Sequence, residues 1–137
     1  MSEIKSNLDS IFKRNTEVEK DGVWFVIGEE PHEISFRMKR FGGDNNHSLR
    51  AALAKHYKPY ARLIENDTLP ESKGHEISVK VFVDTCLTDW KGVEINGVQE
   101  AFSKEAAVKL LIALPELFDK LKVYASDRSN FREDVGN

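Results

Sequence analysis

Between Met38 and Leu49 the period of the hydrophobic pattern changes, and that change constrains the fold more than any other feature. In Ile34-Ser35-Phe36-Arg37-Met38 apolar and polar residues alternate strictly, the two-residue repeat of a strand with one buried face. The β-branched and aromatic run from Gly22 to Ile27 precedes it across a Gly28-Glu29-Glu30-Pro31 turn, and the two runs predict an antiparallel hairpin. From Leu49 onward apolar residues recur mostly at every third or fourth position, as on amphipathic helices. A lone hairpin is marginal in water, so its apolar face needs the helices that follow.

Prolines and glycines subdivide the helical part. Leu49, Leu53, Tyr57, Tyr60 and Ile64 form one stripe, and Pro59, which has no N–H for the Lys55 carbonyl, predicts a kink in it. Phe41 to Asn46 reads as a sharp turn into helix-capping residues. Leu69-Pro70-Glu71 opens a central helix that Ile77, Val81, Cys86 or Leu87, and Trp90 extend as far as Gly92. The Asn96-Gly97 pair favours a tight hairpin turn. Ser103 is an expected N-cap for a helix with Ala107, Leu110, Leu111 and Leu114 on its inner side. Pro115 breaks that helix or opens another, in which Leu117, Phe118, Leu121, Tyr124 and Phe131 continue the stripe. The expected class is α+β and predominantly α-helical, an N-terminal antiparallel β-hairpin packed on a small bundle of about four to five helices. No internal repeat or Pro/Gly/Ser-rich linker divides the chain, so residues 22–132 read as one domain. A helical or partly mobile segment at 1–21, with Leu8, Ile11 and Phe12 on one face, is expected before it and a frayed tail at 133–137 after it.

At 137 residues the chain can bury a core without covalent staples. Its single cysteine, Cys86, sits in an apolar run and fits a buried thiol in a reducing compartment. The N-terminus has charges where a signal peptide has its apolar stretch, and no segment approaches a membrane span, so the expected location is the cytoplasm. Net charge is −3, which excludes an overall basic field for nucleic acid or lipid. One stretch runs against it: Arg37, Lys39, Arg40, Arg50, Lys55, Lys58 and Arg62 face a single acid, Asp44. Such residues either fill solvated faces or make a docking surface for an acidic partner or for the acidic half of another copy.

Catalytic, cofactor and metal chemistry all lack a motif. His32, His47, His56 and His75 are scattered singly, and Cys86 has no second thiol beside it. Asp84 and Asp89, read as one helix, are five apart and do not share a face. Gly42-Gly43 is followed by no phosphate-loop pattern. No catalytic residue, cofactor or metal is therefore assigned, and a non-enzymatic protein is expected. Trp24, Phe25, Phe36, Arg37, Lys39, Arg40 and Phe41 mix rings with cations as RNA-binding sheets do, but Phe36 is better used as core, which leaves a nucleic-acid-binding regulator as a minor alternative.

The order of certain residues adds a resemblance. Gly22-Val23-Trp24, Arg40-Phe41-Gly42-Gly43-Asp44-Asn45-Asn46, Lys58-Pro59-Tyr60 and Asp89-Trp90-Lys91-Gly92-Val93 follow one another as in the tail assembly chaperones of long-tailed, siphophage-type bacteriophages and prophages. Ala101-Phe102-Ser103-Lys104-Glu105-Ala106, Leu114-Pro115-Glu116-Leu117-Phe118 and Asn130-Phe131-Arg132 continue the likeness, which spans about residues 22–132. The resemblance implies a non-catalytic protein of the host cytoplasm, absent from the mature virion; self-association is expected beside it, because it would multiply weak contacts along one long partner. It would bind the tape measure protein, keep it soluble and help recruit tail tube protein. A structural tail component of connector or terminator type is the alternative. For partner binding the expected contacts are a cationic patch around Arg37, Arg40, Arg50 and Arg62 and apolar contacts around Trp90 and Phe118.

Overall fold

In a computed structural model the described residues are 22–42 and 46–131. The expected N-terminal helix at 6–14, the capping residues Gly43 to Asn45 and the tail at 133–137 lie outside them.

The hairpin forms as the alternation requires. Strand β1 (Val23–Ile27) pairs antiparallel with β2 (Ile34–Met38), Phe25 opposite Phe36 and Trp24 opposite Arg37. Phe36 and Met38 are buried on one face, while Arg37 stands on the other. The chain then leaves the sheet along the end of the last helix, where the Phe41 N–H donates to the Ala125 carbonyl.

Helix α1 (Asn46–Tyr57) is followed by a 3-10 turn, Lys58–Tyr60, and a short helix α2 (Ala61–Glu65), so Pro59 interrupts the helix as expected. The stripe drawn along this segment is only partly used: Leu49, Tyr57 and Tyr60 pack against the cluster of buried Ala52, Ile77 and Val81, but Leu53 and Ile64 are exposed. Helix α3 (Glu71–Thr85) is central and buries Ile77, Val79, Val81, Phe82 and Val83. Phe82 is fully enclosed, and truncating such a ring to alanine costs about 3–5 kcal/mol.

The central helix is shorter than its apolar residues suggested. It stops at Thr85, and Leu87–Lys91 is a strand, β3, antiparallel to β2, so the sheet has three strands in the order β1-β2-β3. Trp90 pairs with Phe36 and Leu87 with Met38, which sets three residues of β3 against two of β2 around an irregularity at Arg37/Met38. An extra residue of this kind turns Leu87 and Trp90, three apart, to the same face. A helix would produce the same spacing, which is why the strand read as helix. Asp84 and Asp89 accordingly lie on different elements.

A small ribbon follows, β4 (Glu94–Ile95) with β5 (Val98–Gln99), closed by Asn96 at φ 54° and Gly97 at φ 80°. Two positive φ values are what a two-residue hairpin turn demands, and Asn-Gly supplies them with least strain. Helix α4 (Lys104–Ala113) is capped by Ser103, whose Oγ accepts from the Ala106 N–H at 3.0 Å. Pro115 opens helix α5 (Pro115–Ser126), and a 3-10 turn at Arg128–Phe131 returns Phe131 to full burial. The main core joins the inner face of the sheet to α3, α4 and α5; a smaller one joins α1 to α3. The fold is α+β with most of its regular structure helical.

Candidate docking groove

The β4–β5 ribbon stands away from α4, and the space between them is an open cavity of about 570 Å³ that includes Ile95, Ser103, Ala106 and Leu110 in its lining. Leu110 also lines a second cavity of about 170 Å³, with Ile27, Ile34, Leu114 and Leu117 among its other walls. Both cavities have Leu110 in their lining, so apolar surface extends beside α4 from the ribbon to the turn end of the β1–β2 hairpin. Leu114 is the exposed lip: it is the last residue before Pro115, with φ −123° and ψ 76°, and is 47 % exposed. The sequence reading placed Leu114 inside. The break that Pro115 imposes turns it outward.

The rim is acidic. Glu100 and Glu105 line the larger cavity and Glu94 the smaller. The loop joining Ile27 to Ile34 adds exposed Glu29, Glu30 and Glu33 at the far end. Lys109 is a cation in the lining, and it sits 3.6 Å from Glu105.

Trp90 holds this geometry from behind. Its indole N–H donates to the Glu100 carbonyl at 2.7 Å, and the Glu100 N–H donates to the Val93 carbonyl at 2.9 Å, closing the base of the ribbon. The ring stands edge-on to Phe36 and Phe102, with centroids 6.4 and 5.2 Å away, and is 5 % exposed. Phe118 is 2 % exposed, edge-on to Phe82 at 5.5 Å. Both aromatics expected as apolar contacts are therefore core residues, because the sheet and α3 enclose them. The four expected arginines divide between two places. Arg37 and Arg40 lie half-buried on β2 and just after it, whereas Arg50 and Arg62 are exposed on α1 and α2. They do not share one element. The sequence reading missed Ile27, Glu94, Glu100 and Leu110 as groove residues, since only the packing of ribbon against helix makes them neighbours.

Other polar groups tie elements together. Asp84 on α3 lies 2.6 Å from His56 Nε2 on α1, 3.6 Å from Lys104 on α4 and 3.9 Å from Lys55. Burial pushes its carboxyl up, but the His56 hydrogen bond and the lysine charges outweigh that and hold it below the ordinary carboxylate value. Cys86 donates its S–H to the Lys39 carbonyl at 2.8 Å, and burial pushes its thiol well up, away from the thiolate form that reacts. Among the described residues no three His, Cys, Asp or Glu side chains gather as a metal site, and no helix is long and apolar enough to cross a membrane.

Residues 44–136 match the family model described as YdaY prophage protein. No curated protein and no solved structure matches the chain.

Proposed function

The chain belongs to the YdaY prophage protein family, and from that membership together with the groove we propose a non-catalytic tail assembly chaperone. In this role it binds the tape measure protein in the host cytoplasm, keeps it soluble and helps recruit tail tube protein, and it is left out of the finished particle. The observation that carries the proposal is the acid-rimmed apolar trough beside α4, floored by Ile27, Ile34, Leu110 and Leu117. A tape measure protein is a long helix with apolar stripes that stay uncovered until tube subunits surround it. Helix-in-groove recognition meets that need with a few apolar anchors, and acidic walls favour helices whose flanks are cationic.

The test is co-expression with the tape measure protein of the same prophage, followed by a sizing column. A soluble, co-eluting complex that Leu114→Glu abolishes without altering the thermal melt supports the proposal. A tape measure protein that stays insoluble, or this chain found stoichiometrically in purified tails, refutes it and favours a structural tail component.

A further inference from the structure

From Asn46 to Ile64 the sequence carries Arg50, Lys55, Lys58 and Arg62 and no Asp or Glu. With Glu65 added, this stretch folds as α1, the turn at Pro59 and α2. One side of it is anchored, with Ala52 buried against Ile77 and Val81 of α3. The other side is open: Leu53, Leu63 and Ile64 are 39, 41 and 43 % exposed, and α2 buries no residue. Arg50 and Leu53 are three apart and share a helical face, and Arg62 directly precedes the Leu63-Ile64 pair. Arg50, Lys58 and Arg62 form no ion pair among the described residues. The result is a helical arm with exposed aliphatic side chains set among an excess of cations, with Glu65 as its one acid.

The groove has the opposite character, an apolar floor inside a rim of Glu94, Glu100 and Glu105. We propose that the α1–α2 arm of one copy docks in the groove of a second copy, so that the chain associates head to tail and each filled groove is held shut by a neighbour until a client helix displaces the arm. This rests on the groove being a helix-docking site. Arm and groove are different surfaces of one molecule, so the contact is heterologous, and every added copy presents a fresh arm or groove. Such contacts build an open chain or a ring and not a dimer that saturates.

Sedimentation velocity on the full chain tests this with charge reversals on each surface. At about 100 μM protein and low ionic strength, where contacts of roughly ten-micromolar strength are populated, the wild type sediments above its monomer mass of 15.6 kDa. It returns toward monomer at about 1 M salt, where screening acts within about 3 Å. R50E/R62E alone and E94K/E100K alone stay monomeric, because each sets like charges against like. An equal mixture of the two associates again, since each arm then meets a groove of opposite sign; that rescue also shows that neither variant is misfolded. Wild-type protein that stays monomeric, single variants that assemble as the wild type does, or a mixture that stays monomeric would each overturn the inference. A monomeric wild type that still solubilises the tape measure protein removes this inference alone and leaves the chaperone proposal standing.

Discussion

Replacing Trp90 by phenylalanine separates a packing role from a contact role. The indole is 5 % exposed, edge-on to Phe36 and Phe102, and its N–H reaches the Glu100 carbonyl at 2.7 Å. Phenylalanine keeps one aromatic ring but removes roughly 40 Å³ of side chain, which at about 24 cal/mol per Å³ of unfilled cavity costs ~1 kcal/mol. The hydrogen bond adds about 1 kcal/mol, at the low end for a lost partner because Glu100 is itself exposed and water can replace the indole. The expected loss is about 2 kcal/mol, a fall of roughly 5–10 °C in melting temperature for a domain of this size. Urea unfolding followed by far-ultraviolet circular dichroism measures it, with Trp24 remaining as a fluorescent probe. A variant that unfolds within about 0.5 kcal/mol of wild type and yet fails to co-elute with the tape measure protein would refute the packing argument and restore Trp90 as a contact residue.

Asp84 makes stability depend on pH in one direction. Its folded-state value is held below that of the unfolded chain, so its contribution is fully present above about pH 4 and is lost as pH falls through the lowered value. Acid unfolding curves should therefore steepen below about pH 4 in wild type and flatten in Asp84→Asn. Gly92 holds φ at 77°, and a Cβ there would lie 2.6 Å from the Glu33 carbonyl oxygen. Gly92→Ala should cost about 2–4 kcal/mol in urea unfolding, and a change under about 0.5 kcal/mol would show that the sheet edge shifts freely. Cys86 should react with an aromatic disulfide reagent only at the rate of unfolding, because its thiol is 1 % exposed and protonated at neutral pH. Rapid labelling of native protein would contradict that burial.

The candidate site was legible only in pieces. The cationic run through Arg50 and Arg62 is plain in the sequence, and both residues are exposed on helices as charge patterning suggests. The groove was not, because its walls come from the β1–β2 hairpin, the β4–β5 ribbon, α4 and the start of α5. Trp90 and Phe118 were read as contacts for a related reason. Their place on a periodic stripe does not say whether the stripe faces a neighbouring element or solvent, and here β2 and α3 cover them.

What the sequence determined by itself are the features written in local chemistry. Alternation drew β2, the Asn96-Gly97 pair drew the ribbon turn, Ser103 capped α4, and prolines at 59 and 115 set the interruptions, since each acts on backbone torsions or hydrogen bonds within a few residues. Tertiary structure decided whatever depends on partners distant in the chain. Leu87 and Trp90 fit a helix as well as a bulged strand. The choice fell to β2, 51 residues upstream of Thr88, whose Oγ1 donates to the Arg37 carbonyl beside the bulge. The same holds for the groove, because a cavity is the space that several elements leave unfilled, and no single segment carries its shape.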